Sequence, residues 1–135
     1  MIIVYSYYVM DIIHTGHLEM LRNAKAMGDK LIVGILTDEA AMEVKPKPTL
    51  SFEERINIAR SIKYIDMVVT QETQSPITNM RLIRPDILME SSSHTAKKLK
   101  ENIDVAKEIN CRVIIVPYFP EHSSTQIKDK IKHDI

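Results

Sequence analysis

The chain has 135 residues, 44% of them apolar, which suits one compact domain around a single buried core. Its 18 Lys and Arg balance 18 Asp and Glu, so no global field draws in nucleic acid or an acidic membrane, and any anion site must be local. The one cysteine excludes an internal disulfide, and no apolar run approaches membrane-spanning length.

The N-terminus lacks a basic region, and Asp11 and His14 interrupt its apolar stretch. No signal peptide is therefore expected, and the expected location is the cytoplasm. Ile2–Tyr5 reads as a buried strand. From Gly16 to Met27, Leu18, Leu21, Ala24 and Met27 recur at helical spacing, with Gly28 as the stop signal. Leu31–Leu36 is a second buried strand. Ser51 and Glu54 have the spacing of a capping box, which opens a helix running to about Ile62. Ile65–Thr70 is a third strand. A helix over Ile77–Ile83 ends before Arg84-Pro85, because the residue preceding proline disfavours helical backbone. Ile87–Met89 is a short fourth strand, Thr95–Ile109 is helical by period, and Val113–Val116 is a fifth strand. Cys111, just before that apolar run, reads as a buried and inert thiol. Ser123–Ile131 forms a last helix, with Ile127 and Ile131 on one face.

Short apolar strands alternating with helices predict an α/β fold: a Rossmann-like, doubly wound, five-stranded parallel sheet with helices on both faces, forming one domain over the whole chain. Ligands in such sheets bind outside the carboxyl ends of the strands, where strand order reverses. That rule points to the loop after the first strand, Ser6–His17. There His14-Thr15-Gly16-His17 stands where the chain enters its first long helix. A helix N-terminus carries unpaired N–H groups and a partial positive charge, so it attracts phosphate. Gly16 lets an anion approach the backbone. His14 and His17 can each donate a ring N–H to phosphate oxygens. A lone His-x-x-His would favour solvent-exposed side chains or a metal site; the glycine and the strand-to-helix context tilt the reading toward phosphate. Metal ligands on a helix prefer i, i+4 spacing, and no Cys or further His lies nearby to complete a set.

Asp11-Ile-Ile-His14-Thr-Gly16-His17 resembles the signature of the cytidylyltransferase-like small nucleotidyltransferases. The similarity extends to Leu21–Glu39, to the Lys45-Pro-Lys47-Pro-Thr-Leu-Ser-Phe-Glu-Glu-Arg55 stretch, and to Ser123-Ser124-Thr125-Gln-Ile-Lys128. It covers essentially the whole chain, and it is more specific for fold and reaction than for substrate. It implies that a metabolite's phosphate or phosphonate attacks the α-phosphorus of a nucleoside triphosphate and that pyrophosphate leaves, without a covalent enzyme intermediate. It further implies that His14 and His17 hold the triphosphate and its transition state, that Lys47 and Lys45 reach the phosphates from their loop, and that Arg55 faces them from its helix. Tyr8, Val9, Asp11 and Gly16 would line the nucleotide site. Ser123, Ser124 and Thr125 would present hydroxyls and helix N-terminal amides to the β and γ phosphates. Mg²⁺ would accompany the triphosphate, with no separate protein metal site. The implied partners are CTP or ATP and a phosphorylated small metabolite, with no nucleic acid and no membrane. Small members of the family often pair as homodimers.

Each role has a plainer counterpart. Loop lysines are usually solvated, Arg55 could pair with an acid on its own helix, Ser123–Thr125 could cap the last helix, and Asp11 could orient the turn by binding backbone amides. Departures from the family pattern bear on substrate. Tyr8 replaces a small residue and would narrow the nucleotide pocket or stack on a base. Glu90-Ser91-Ser92-Ser93-His94 follows the fourth strand where the glycerol-phosphate branch has Gly-Asp-Asp-Trp, and Tyr118 stands where that branch has arginine. The phosphonate cytidylyltransferases resemble Pro117-Tyr118. The heptose-phosphate adenylyltransferases of lipopolysaccharide core assembly, which use ATP, resemble Arg84–Met89 and the Ser-Ser-Thr motif. Archaeal-type flavin adenylyltransferases are a further branch. The Lys45–Arg55 stretch and the length favour CTP slightly, which would place the product among cell-envelope or lipid precursors. The same departures leave a second reading, a nucleotide-binding module that has lost turnover.

Overall fold

The computed structural model describes residues 1–92 and 94–117. Among these described residues, β1 (Ile3–Tyr8), β2 (Lys30–Leu36), β3 (Met67–Gln71), β4 (Ile87–Ser91) and β5 (Arg112–Val116) form a five-stranded sheet in the order β3-β2-β1-β4-β5. Each of these pairings is parallel. Strand order reverses at β1, between its neighbours β2 and β4, as the sequence predicts for a doubly wound sheet.

The described helices are α1 (Thr15–Ala26), α2 (Asp38–Met42), α3 (Phe52–Arg60), α4 (Ile77–Ile83) and α5 (Ala96–Glu108), and they connect the strands. Alternation along each strand sends successive side chains to opposite faces, and this divides the core in two. Val4, Leu31, Val33, Ile35, Ile87 and Met89 pack with Leu21 and Ala24 of α1 and Ala59 of α3. Tyr5, Ile32 and Leu88 pack with Met80 of α4 and Val105 and Ala106 of α5. α1 and α3 therefore cover one face, and α4 and α5 the other.

Local chemistry sets the helix ends. Ser51 Oγ accepts from Glu54 N at 3.2 Å and Glu54 Oε1 accepts from Ser51 N at 3.2 Å, the expected capping box at the start of α3. Thr95 caps α5 through Lys98 N. Arg84 closes α4 in the left-handed region at φ 52°, just before Pro85. The short helix α2, capped by Thr37 and opened by Asp38 and Glu39, was not expected; five residues are too few to show a helical period. β1 also runs past its expected end at Tyr5, through Ser6 and Tyr7 to Tyr8. That extension carries Tyr7 to the edge of the site. The expected helix Ser123–Ile131 lies outside the described residues.

Gly34 in β2 has a packing role. A methyl group there would collide with the Tyr5 hydroxyl, which reaches past β2 to donate to Gln71 Oε1 and accept from Asn79 Nδ2. Cys111 is half-buried rather than fully buried, and burial pushes its thiol up to about 11. It stays protonated near neutrality and is a poor nucleophile.

Candidate functional site

The chain leaves β1 through a turn whose buried Met10 sits at φ 61°, a conformation that a side chain of this size rarely adopts. It then enters α1 through His14, the N-cap residue, in extended backbone. His14 Nδ1 accepts from Gly16 N at 3.1 Å, and His17 Nδ1 accepts from His14 N at 3.4 Å. This is a capping box built from two imidazoles in place of the usual Ser and Glu. It also assigns the tautomers. With both Nδ1 atoms accepting, the proton of each neutral ring sits on Nε2. The ring centroids are 4.1 Å apart, tilted by 46°. Burial, helped by His14 and Lys45, pulls His17 down to about 4. His17 is therefore a neutral N–H donor at physiological pH, suited to stabilising an anion rather than titrating beside it.

The lysine loop is tied to this turn. Asp11, itself buried, accepts from Leu50 N at 2.8 Å and from Thr49 N at 3.0 Å. Its backbone-binding role thus reaches across to a second loop rather than staying within its own turn. Lys45 and Lys47 are exposed on that loop. Lys45 lies close enough to act electrostatically on both His17 and His94. No described contact brings Lys47 to the imidazoles.

Arg55 lies inside the fold. Its side chain is fully buried. Its guanidinium donates to Val9 O and Leu36 O at 2.7 Å each, to Leu50 O at 3.4 Å, and to Asp38 Oδ1 at 2.7 Å. The partner acid comes from α2 and not from its own helix. Four of its five N–H donors thus tie Arg55 to Leu50, to the turn after β1, to the end of β2 and to α2. Val9 meets Arg55 through its carbonyl. Tyr8 packs against the α1 side of the core, and its hydroxyl is buried near Ser6 without a hydrogen bond to any described residue. Burial holds that phenol well above its usual range. Gly16 is buried with its amide spent on His14, so the bare N–H expected there is already partnered. Ser123, Ser124, Thr125 and Tyr118 lie outside the described residues.

A second cluster went unassigned in the sequence. Glu90 is 1% exposed at the end of β4. Its Oε1 accepts from Tyr7 Oη at 2.6 Å and from Asn102 Nδ2 at 3.1 Å. Its Oε2 lies 3.2 Å from His94 Nε2. Burial lifts the carboxyl to about 7. The available signal was an acid continuing the apolar run Ile87-Leu88-Met89. A separate cleft of about 310 Å³ lies at the end of β3, lined by Gln71, Thr78 and Asn79 among others, away from the histidines. Among the described residues, no three His, Cys, Asp or Glu side chains are grouped to hold a metal ion, and no helix is long and apolar enough to cross a membrane.

A family model described as cytidylyltransferase-like matches residues 9–130. The chain belongs to the cytidylyltransferase-like family. The paired imidazoles fall within the matched span. Among its relatives are the bifunctional proteins HldE of Campylobacter fetus, 31% identical over 90% of this chain, and of Helicobacter pylori strain P12, 30% identical over 96% of it. The chain spans only 26% and 28% of those two proteins. A lipopolysaccharide core biosynthesis protein from Thermoplasma volcanium shares the fold, with a TM-score of 0.74 at 22% identity over 87% of this chain and 96% of that one.

Proposed function

We propose that this cytidylyltransferase-like chain transfers AMP from ATP to the phosphate of a sugar phosphate, with release of pyrophosphate. The observation that carries the reaction is the imidazole capping box, which holds two rings 4.1 Å apart at a helix N-terminus. The family and the HldE relatives support a sugar-phosphate acceptor and favour ATP over the CTP to which length and the lysine stretch point. The heptose-phosphate adenylyltransferase branch is the reading that joins them.

In this reading the triphosphate lies across the start of α1. The Nε2–H groups of His14 and His17 donate to its oxygens, and Lys45 adds positive charge from the loop that Asp11 anchors. An acceptor phosphate oxygen attacks the α-phosphorus in line, a P–O bond forms as the bond to the β-phosphate oxygen breaks, and pyrophosphate departs. The imidazoles and the helix dipole stabilise the charge that gathers on the α-phosphoryl oxygens. A divalent ion such as Mg²⁺ would neutralise part of the polyphosphate charge, with ligands drawn chiefly from the nucleotide.

The test is a thermal-shift screen of ATP, CTP, GTP and UTP with Mg²⁺, followed by pyrophosphate release with sugar 1-phosphates. ATP is expected to raise Tm most, since a ligand that binds the folded state stabilises it. His17→Ala is expected to lower turnover by roughly 10²–10³-fold, the scale of one lost oxyanion donor. An active preparation that kept its rate after that change would remove His17 from catalysis, and a preference for CTP would return the donor to the alternative.

A further inference from the structure

Asp11 holds the far end of the lysine loop, at Thr49 and Leu50. The near end has an anchor of its own. Val44 N and Lys45 N still donate to Ala41 O, at 3.3 and 3.1 Å, so Lys45 follows directly on α2. Just before them Glu43 reaches across to the β3–α4 connection, where its Oε2 accepts from Gln74 N at 2.8 Å. Between Lys45 and Thr49 stand Pro46, Lys47 and Pro48. Each proline fixes its own φ and restricts the residue before it, and Pro48 is buried. Residues 45–48 therefore form a short, stiff strap fixed at both ends, and where it starts decides where Lys45 sits.

The Gln74 side of this anchor is built into the core. Gln71, 1% exposed at the end of β3, donates from Nε2 to Thr73 O at 3.0 Å and to Gln74 O at 3.3 Å, which shapes the turn that presents Gln74 N. Its Oε1 accepts from the Tyr5 hydroxyl. Its own carbonyl accepts from Thr37 N at 3.0 Å. Thr37 is the N-cap of α2 and Glu43 its C-cap, so one turn grips both ends of that helix. Five residues are far too few for a helix to persist in water unaided. External bonds such as these must hold α2, and Asp38 adds a third through Arg55.

We infer that Glu43 is a positioning residue for nucleotide binding: by pinning the C-terminal end of α2 to the turn after β3, it sets where the lysine strap begins and so where the Lys45 ammonium meets the polyphosphate. The inference rests on the nucleotidyl-transfer reading for the role of Lys45, whose charge already reaches His17. Charge gives the effect a sign. Like charges repel, so a carboxylate two residues from Lys45 opposes a polyphosphate by its field. Were the field its whole effect, removing Glu43 would tighten nucleotide binding. A residue that holds the strap does the reverse: its removal weakens binding even though a repelling charge is gone.

Calorimetry gives the affinity of wild type, Glu43→Ala, Glu43→Gln, Lys45→Ala and the Glu43→Ala/Lys45→Ala double variant for the α,β-methylene analogues of ATP and CTP with Mg²⁺, the tighter binder serving throughout. Glu43 is exposed, so the variants are expected to fold, and a urea midpoint confirms it. Hydrogen exchange at the Gln74 amide reports the anchor itself and should quicken in Glu43→Ala but not in Glu43→Gln, whose amide oxygen is an acceptor. Glu43→Ala is expected to weaken binding roughly three- to tenfold, the scale of one hydrogen bond, and Glu43→Gln to stay within about twofold of wild type. On the Lys45→Ala background, Glu43→Ala should change affinity by less than about twofold, because the two act through one contact. A merely structural role would weaken binding equally on both backgrounds. Binding that is unchanged or tighter in Glu43→Ala, a loss as large in Glu43→Gln, an undiminished effect on the Lys45→Ala background, or unchanged exchange at Gln74 in Glu43→Ala overturns the inference. Nucleotide binding that behaves as expected while no sugar phosphate yields pyrophosphate would instead sink the reaction reading and leave this one standing.

Discussion

Arg55 shows how a single buried side chain can tie several loops together. Its guanidinium collects Val9 O from the turn after β1, Leu36 O from the end of β2, and Asp38 from α2. Phe52 also packs against the guanidinium, 5.5 Å from its ring centre. Arg55→Met keeps comparable bulk but strands the Val9, Leu36 and Leu50 carbonyls and the Asp38 carboxylate. Breaking a buried charged network costs about 3–5 kcal/mol; Asp38 is partly exposed, so the expected loss is near the lower figure. Urea denaturation should show it as a lower midpoint at unchanged slope. ATP affinity of the folded protein should stay within a few-fold. Stability preserved with nucleotide affinity lost would instead place the guanidinium on a phosphate.

At the scale of elements, the connection that matters is Asp11 to the loop ahead of α3. Two amides, Thr49 N and Leu50 N, hang on one carboxylate. Hydrogen bonds to a charged acceptor contribute about 1.5–3 kcal/mol. Asp11→Ala should therefore raise hydrogen exchange at residues 49 and 50 by roughly ten- to a hundredfold. Asp11→Asn, which keeps an acceptor oxygen, should raise it less. Equal exchange in all three proteins would mean that other contacts hold the loop.

The same elements mark where sequence reading stops. Apolar runs and helix stop signals located the five strands and the helices α1, α3, α4 and α5, because burial on both faces of a parallel sheet writes itself into composition. The Ser51–Glu54 capping box was legible because its chemistry is local. The partners of Arg55 were not, since they lie up to 46 residues away in the chain. Glu90 was visible only as an acid in an apolar strand; its meaning depends on Tyr7, which β1 brings alongside 83 residues earlier in the chain. The two histidines lay in between. Their position was readable from strand–turn–helix order, but the Nδ1 acceptance that fixes their tautomers required the folded backbone.

For the whole molecule, two buried groups on opposite sides of the crevice should oppose each other in the pH dependence of stability. His17 falls from 6.5 when unfolded to about 4 when folded. Between those values the unfolded chain binds the extra proton, so this group destabilises the fold as pH drops below about 6.5. Glu90 rises from 4.5 to about 7. Between those values the folded chain holds the extra proton, so its contribution is fully present below 4.5 and is lost as pH climbs through about 7. One proton of difference changes stability by about 1.4 kcal/mol per pH unit, so from roughly pH 4.5 to 6.5 the two slopes largely cancel. His94, lowered by burial, adds in the sense of His17. Wild type should accordingly show a shallow profile with a slight net gain toward neutrality. Glu90→Gln removes the falling component and should become more stable as pH rises from about 4.5 to 6.5, by roughly 2–3 kcal/mol. His17→Gln keeps a side chain able to complete a capping box and should tilt the other way, losing stability as pH rises toward about 7. Chemical denaturation of the three proteins across roughly pH 4.5 to 7.5 measures the slopes directly. Parallel profiles would mean that neither group is held in the protonation state its surroundings impose, and that the crevice is far wetter than its packing indicates.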